Sequence, residues 1–322
     1  MMDQKLPHQP IAGLGQGLIF DGYYLLNDIR VKMSRAGNPY LSGSLMDASG
    51  NIPVVIWNYT GEITADDAGK VVFVDGTVDE YNSAMQVVAK CLVLANEGDE
   101  AFFDIKTLLP FAQVDCQQCL VEVRRMLESL DDRDYREIAL APLNVFSDIL
   151  ETLPAAKSIH HAYLGGWLVH TYGMMTIADQ LCKTRSCYHN INRSLLIAGC
   201  FLHDIGKIDE FKRSEYGLVA DYTVCGKLIT HPVLGAFLLQ SVVSLHPVDK
   251  IRQLQHIILS HHGQPEYGAA VLPQTIEAEI VHYLDGIDSR LDIYTAALSK
   301  TKEGNFSEYI RALDKRIYHV PV

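Results

Sequence analysis

Hydrophobic and polar positions alternate with a short period along the first hundred residues. Residues 23–31 read as a strand, 40–46 alternate partially, and 52–57 form an apolar strand. Residues 71–78 and 85–94 complete five β segments. Turn chemistry separates them, with Ala36-Gly37-Asn38-Pro39 and Asp47-Ala48-Ser49-Gly50-Asn51 as the clearest breaks. Five short strands in close succession predict a small closed barrel. An OB-like arrangement is the favoured form, and an SH3-like barrel gives a similar pattern.

From about residue 105 the period lengthens to that of a helix. Helical stretches are expected over 117–130, 133–153, 162–183, 192–207, 232–244, 248–261, 275–300 and 306–317, with no convincing strand among them. The expected fold class is multi-domain α+β, a β-barrel followed by an all-α domain. Residues 1–17, with the sequence GLGQG, read as a flexible leader, because no strand precedes the glycines to make a dinucleotide fingerprint. The barrel is expected over 18–97, a helical connector over 98–154, and the all-α domain over 155–318.

Composition narrows the class. The chain has 322 residues, 48 % of them apolar and 20 % charged, enough to bury a real core. The longest apolar run, residues 233–245, is interrupted by Gln240 and Ser241, and falls short of the ~18–20 residues that span a bilayer. The first ten residues lack a signal-peptide pattern, so a cytoplasmic location with no membrane association is expected. The formal net charge of −12 argues against a protein that grips duplex DNA through a broad basic surface. It leaves room for a local basic track or for a site where metal cations supply the positive charge. Cys116 and Cys119 form a lone CxxC with no further zinc ligands nearby, and read as ordinary reduced thiols.

Thirteen histidines give this acidic chain its candidate chemistry. His203-Asp204 lies on an expected helix, with Lys207 on the same face. His170 sits in the apolar run GGWLVHTYGM, His231 in ITHPVLG, His261 and His262 in LSHHG, and Asp285 in HYLDGIDSR. Any one of these histidines alone reads as a satisfied core residue. Several His and Asp on successive helices of one bundle instead suit a di-metal site, and an ionised buried aspartate is costly unless a cation pairs with it.

The order His170, His203-Asp204, His231, His261, Asp285, with FLHDIGK at its centre, resembles the HD superfamily of metal-dependent phosphohydrolases. With the preceding barrel, and with HHAYLGGWLVHT, THP, SHHG and HYLDGIDSR, the chain is similar over residues 18–318 to the YhaM family of 3′→5′ exoribonucleases. The resemblance implies an OB-fold joined to an HD-type domain. It implies one metal held by His170, His203, Asp204 and Asp285, and a second reached through Asp204 and held with His231 and His261. It implies catalytic roles for Asp204 and Lys207, with a water activated between two divalent ions attacking phosphorus. Mn²⁺ is the ion it points to, with Fe²⁺, Zn²⁺ and Mg²⁺ as alternatives, and a homo-oligomer is a family-level expectation.

Other positions are weighed for substrate contact. His262 lies about 100° around a helix from His261, and reads as a phosphate contact or an orienting group, against simple capping. His160 and His161 precede Gly165-Gly166, where a break in the helix would turn His161 back toward His170. His282 reads as orienting Asp285 or as a packing residue, Asp288 reads first as surface or pairing, and Arg290 as a solvated helix face, against a phosphate contact. In the barrel, residues 1–100 hold six Lys and Arg against thirteen Asp and Glu, so it is no broad basic platform. Arg30 and Lys32 nevertheless share one strand face, and Tyr24, Tyr40, Trp57 and Tyr81 are candidate stacking residues. A basic track with aromatic platforms is how single-strand binders work. Single-stranded RNA is the expected partner, with single-stranded DNA as an alternative, led by the barrel toward the metal site. Competing readings are an HD-type phosphodiesterase acting on nucleotides or cyclic dinucleotides, and a non-catalytic nucleic-acid-binding factor. Against the cyclic-dinucleotide form, Gln264-Pro265-Glu266 follows HHG in place of that branch's GYP pattern.

Overall fold

The computed structural model describes residues 8–81, 84–157, 161–184, 190–242 and 246–321. The chain divides into two compact units, Met1–Phe111 with Arg213–Asp221, and Ala112–Lys212 with Tyr222–Val322.

In the first unit β1 (Ile19–Met33), β2 (Pro39–Asp47), β3 (Gly50–Trp57), β4 (Lys70–Tyr81) and β5 (Ala84–Leu94) close a barrel in the order β1-β2-β3-β5-β4. Only the β3–β5 pairing is parallel. Alternate side chains turn inward, as a pleated strand requires. Tyr24 and Leu26, Leu41 and Leu45, Ile52 and Val54, and Val72 and Val74 meet Val87 in the core. A bulge between Asn27 and Arg30, with Asp28 at φ 52°, resets the alternation of β1. Ile29 then joins the core while Arg30 and Lys32 stay outside. The expected flexible leader is corrected over residues 8–17. Ile11 is buried, its N–H donates to Asp47, and the Gly17 N–H donates to Val78, so this stretch seals the barrel. A single turn, α1 (Ile105–Leu108), follows the strands.

The second unit holds α2 (Cys116–Glu128), α3 (Arg133–Leu150), α4 (Gly166–Lys183), α5 (Arg193–Leu202) and the short α6 (Lys207–Glu210). A hairpin of β6 (Phe211–Arg213) and β7 (Val219–Tyr222), whose residues Arg213–Asp221 are grouped with the first unit, comes next in the chain, and the second unit continues with α7 (Val224–Ile229), α8 (His231–Val242), α9 (Val248–Ser260) and α10 (Ile276–Leu298). Helix starts follow capping chemistry. Asp115, Asp132, Asn192, Thr223 and Thr275 each accept a backbone N–H from the first turn that follows. Helix α5 is buried at all but its first residue, which makes it the central helix of the bundle.

Several sequence expectations are corrected here. Helices α2 and α3 form no separate connector. They bury Val123, Leu127, Ile138 and Leu143 and pack on α4 and α5 within the helical unit. The β6–β7 hairpin interrupts the helices, because its strands are too short to show a period. Residues 306–317 form no α-helix and hold only a single 3₁₀ turn, Arg311–Leu313. Phe306 pairs with Tyr318 and Ile310 with Lys315 across an irregular hairpin, and the apolar positions there serve its two sides. No helix among the described residues is long and apolar enough to cross a membrane.

Candidate metal centre

The helix expected over 192–207 ends at Leu202, and His203-Asp204-Ile205-Gly206 form a turn. Gly206 explains the turn's position. A Cβ there would lie 2.0 Å from the His231 carbonyl oxygen and 2.4 Å from the Gly235 nitrogen. Only glycine lets the turn settle on the first turn of α8, which brings His203-Asp204 against His231. Buried Trp167 holds the turn from the other side, its Nε1–H donating to the Asp204 carbonyl at 3.2 Å.

Asp204 sits between two groups of imidazoles. Its Oδ2 is 3.3 Å from His203 Nε2, while its Oδ1 is 3.3 Å from His231 Nε2 and 3.6 Å from His261 Nε2. On one side His170 Nε2 lies 3.2 Å from His203 Nε2 and 3.4 Å from Asp285 Oδ1. On the other, His231 Nε2 lies 3.2 Å from His262 Nε2. His170, His203 and Asp285 thus make one ligand group, and His231, His261 and His262 a second.

The far side of each ring fixes its tautomer. The Nδ1–H of His203 donates to the Cys200 carbonyl at 2.8 Å, and that of His261 to the Ile258 carbonyl at 2.7 Å. A carbonyl only accepts, so in the neutral rings Nε2 is left as a lone pair facing Asp204. His170 Nδ1 is held by Asp288 at 2.7 Å, and His231 Nδ1 by Glu210 at 3.0 Å. Imidazoles tied back at Nδ1 with Nε2 converging are the donor set of a metal site. Asp204 Oδ1 and His261 Nε2 are moreover buried without any hydrogen-bond partner. Such orphaned acceptors fit cations, and the residues present therefore suit two divalent ions.

Electrostatics agree with this fit. Burial works against the charge of Asp204, but Lys207, His203 and His231 outweigh it and hold its carboxyl well below the usual range. Burial likewise opposes Asp285, and its bond to His170 overcomes that and lowers it. Asp288 is lowered to about 2, as its bonds to His161 and His170 outweigh burial. Burial pushes His261 far down, with His262 adding to the effect, and pushes His262 down to about 4. Those two rings stay neutral and ready to ligate. His170 differs: burial alone would lower it, and Asp285 and Asp288 together raise it to about 9.

The fold brings together His170, His203, Asp204, His231, His261 and Asp285. Lys207 Nζ donates to Asp204 Oδ2 at 2.5 Å and lines the cavity beside it. His262, expected as a phosphate contact or an orienting group, lies with His231 and His261 in a group that could hold a cation. The break at Gly165 returns His161 toward His170, and its ring nitrogens are engaged by Tyr163 at 2.8 Å and Asp288 at 2.8 Å. It is buried, and with His170 and Asp288 it makes a further group that could hold a cation. His282 binds the His261 carbonyl through Nδ1 at 2.8 Å. His160 and His189 lie outside the described residues.

Sequence reasoning missed Glu210 and the role of Asp288. Glu210 carries no local signal, since its partner His231 is 21 residues away. Asp288 had one in Gly173: a Cβ there would lie 2.7 Å from Asp288 Oδ1, so the glycine leaves room for the carboxylate. The CxxC pair lies on α2, where burial pushes both thiols up, away from the thiolate that a metal needs.

The barrel unit carries a groove of its own, of about 260 Å³, lined by Tyr40, Ser42, Val55, Trp57, Tyr81 and Gln86 among others. Tyr40 and Trp57 are cross-strand partners with ring centroids 4.9 Å apart, and Trp57 is 53 % exposed. Lys32 pairs with Tyr40 and Arg30 with Ser42, which places both cations in register beside the groove. Tyr24 is corrected from stacking residue to core: it is fully buried and its hydroxyl donates to the Gln9 carbonyl.

An OB-like barrel joined to a helical unit with two converging His/Asp groups defines an HD-domain, metal-dependent phosphohydrolase. The HD domain family model matches residues 167–290, and the TraI_2 helicase model matches residues 111–193. The 3′-5′ exoribonuclease YhaM of Geobacillus sp. (strain WCH70) is 30 % identical over 305 residues, spanning 94 % of this chain and 92 % of its own. The chain belongs to the YhaM family. Among solved structures, the second OB-fold domain of replication protein A from Methanococcus maripaludis is 18 % identical, with a TM-score of 0.23 over 27 % of this chain and 94 % of that one. A replication protein A heterotrimer bound to ssDNA is 20 % identical, with a TM-score of 0.22 over 30 % and 75 %.

Proposed function

We propose that the protein is a metal-dependent 3′→5′ exoribonuclease that releases nucleoside 5′-monophosphates from single-stranded RNA. The observation that carries this reading is Asp204, whose two carboxylate oxygens face separate imidazole groups at 3.3 Å each. One cation would be held by His170, His203, Asp204 and Asp285, the other by Asp204, His231, His261 and His262. Bound there, two divalent ions supply the positive charge that acidifies a water and stabilises a phosphoryl group. The mixed imidazole and carboxylate donor set suits Mn²⁺, Fe²⁺ or Zn²⁺ better than Mg²⁺, which favours all-oxygen sites.

The chain's own residues do the rest. In the cleavage, water attacks the phosphorus of the last linkage and the P–O3′ bond breaks. The penultimate ribose takes up a proton as its 3′-hydroxyl, and the terminal nucleotide leaves with its 5′-phosphate. Lys207 places an ammonium in the cavity beside Asp204, suited to phosphate oxygens. Asp288 and Glu210 hold His170 and His231 in orientation. Tyr40 and Trp57, beside Arg30 and Lys32, give the barrel a stacking surface and a short basic track. That surface favours a strand over a free nucleotide as substrate.

The test is single-stranded RNA labelled at one end or the other, incubated with Mn²⁺ and either the wild type or Asp204→Ala. The expected result is stepwise shortening from the 3′ end by the wild type alone, with mononucleotides released. Shortening from the 5′ end, or shortening by Asp204→Ala at the wild-type rate, overturns the reading.

A further inference from the structure

The metal centre opens into a cavity of about 470 Å³ within the helical unit. One wall is the ligand cluster with Lys207. Another is aromatic: Phe211 and Tyr222, at the two roots of the β6–β7 hairpin, together with Tyr267. The first two rings meet edge-on, with centroids 5.8 Å apart. Tyr267 sits on a single 3₁₀ turn, Pro265–Tyr267, in the loop that follows His262. Glycines shape that loop. Gly263 has φ 78°, and a Cβ there would strike the His282 ring at 2.3 Å, while Gly268 has φ 100°. The loop holds Tyr267 at the cavity with its ring 74 % exposed.

Ala155, Ala156 and Gly286 add small side chains to the lining, which leaves the space open. Of the side chains that read base edges through paired hydrogen bonds, the described lining contains no Asn, Gln or Arg, and its lysine, Lys207, is committed to Asp204. Ser289 Oγ is already committed to the Asp285 carbonyl at 2.8 Å, and His282 Nδ1 to the His261 carbonyl. Flat aromatic surface near a phosphate-binding centre, without edge readers, fits one planar base whose identity is not inspected.

We propose that this cavity is the subsite for the 3′-terminal nucleotide, with the base stacked on Tyr267 against the Phe211–Tyr222 wall and recognised as a flat face. The inference rests on the exoribonuclease reading and adds how the terminal base is held. It makes hydrolysis indifferent to sequence at the 3′ end, because every base offers a π-face.

The test compares RNAs that end in each of the four bases with one that ends in an abasic ribose, using wild type, Tyr267→Ala and Tyr267→Phe. For the wild type, the four bases are expected within about ten-fold of one another, and the abasic end slower by about ten-fold or more. Tyr267→Ala is expected to lose a similar factor on ordinary ends, Tyr267→Phe to retain activity, and Tyr267→Ala to lose nothing further on the abasic end. Equal rates for abasic and ordinary ends, additive losses, or a preference of ~10⁴-fold for one base, as edge recognition gives, would overturn the proposal. Should the wild type hydrolyse no RNA, the exoribonuclease reading fails and binding decides the subsite. Calorimetry on Mn²⁺-loaded protein would then compare adenosine 5′-monophosphate with ribose 5-phosphate. Tighter binding of the nucleotide, lost in Tyr267→Ala, supports the subsite, and equal binding sinks it.

Discussion

The rings of His261 and His262 lie 4.1 Å apart, centroid to centroid, and both reach the same ligand group as His231. On a continuing helix these neighbours would diverge by about 100°. Helix α9 instead stops at Ser260, and the two rings that follow it both lie against His231. His262 is therefore expected to join the ligands on the His231 side. Metal analysis of His262→Ala after equilibrium dialysis against Mn²⁺ should show that cation weakened by about ten-fold or more, with the His170 side retained. Unchanged metal content, with only the KM for RNA raised, would return His262 to substrate contact.

Glu210 and Asp288 act through the histidines they hold. Glu210 accepts from both the backbone N–H and the Nδ1 of His231, and Asp288 lies between His161 and His170. Replacing such partners typically costs 10–100-fold in metal affinity or activity. Glu210→Gln and Asp288→Asn keep the shape while removing the charge. Each is expected to weaken Mn²⁺ binding by about that factor in calorimetry, with the far-ultraviolet circular dichroism unchanged. Wild-type affinity in both variants would show that the lone pairs need no such support.

Much of this was legible before the fold was known. The five strands of the barrel announce themselves by period-two alternation and by turn residues such as Gly37 and Gly50. The candidate ligands were legible through the resemblance to the HD superfamily, which FLHDIGK and the order of His170, His203-Asp204, His231, His261 and Asp285 carry. What stayed hidden depends on partners far apart in sequence. Glu210 meets His231 across 21 residues, and Asp288 meets His161 across 127. The turn at His203-Asp204 was hidden for a different reason. Its residues suit a helix, and the helix ends there because Gly206 fits against Gly235. The C-terminal hairpin misled because Phe306, Ile310, Leu313 and Ile317 imitate a helical period.

The barrel groove makes a separable prediction. Stacking on exposed aromatic rings is worth about 1–3 kcal/mol per base. Trp57→Ala and Tyr40→Ala are expected to weaken binding of a single-stranded oligoribonucleotide by about that amount each, measured by fluorescence anisotropy in EDTA. Arg30→Ala and Lys32→Ala should lower the dependence of affinity on salt by up to ~0.7 in log–log slope each. Wild-type affinity in all four variants would remove the groove from the binding surface. Tyr24→Ala should behave differently, costing fold stability of about 3–5 kcal/mol, because that ring fills the barrel core.

Asp179 gives the helical unit a pH-dependent clamp away from the metal centre. It lies on α4 and accepts from Arg193 Nε at 2.8 Å, at the first residue of α5, while Lys183 Nζ adds a contact at 2.5 Å. Arg193 also donates to the Ser129 carbonyl at 3.3 Å, so the clamp joins the end of α2 to α4 and α5. Burial opposes the charge of Asp179, and its bonds to Lys183 and Arg193 outweigh it, so its folded pKa is depressed. A depressed carboxyl stabilises the fold above its unfolded value, about 3.9, and loses that contribution as pH falls through the folded value. Asp179→Asn is therefore expected to cost about 1–3 kcal/mol at pH 7, as for hydrogen bonds to charged groups. The difference from wild type should shrink steadily below about pH 4. Urea unfolding followed by Trp167 fluorescence in a Trp57→Phe background reads this unit, since the chain has only two tryptophans. A stability difference that stays constant from pH 7 to pH 3 would mean that the aspartate contributes through shape and not through charge.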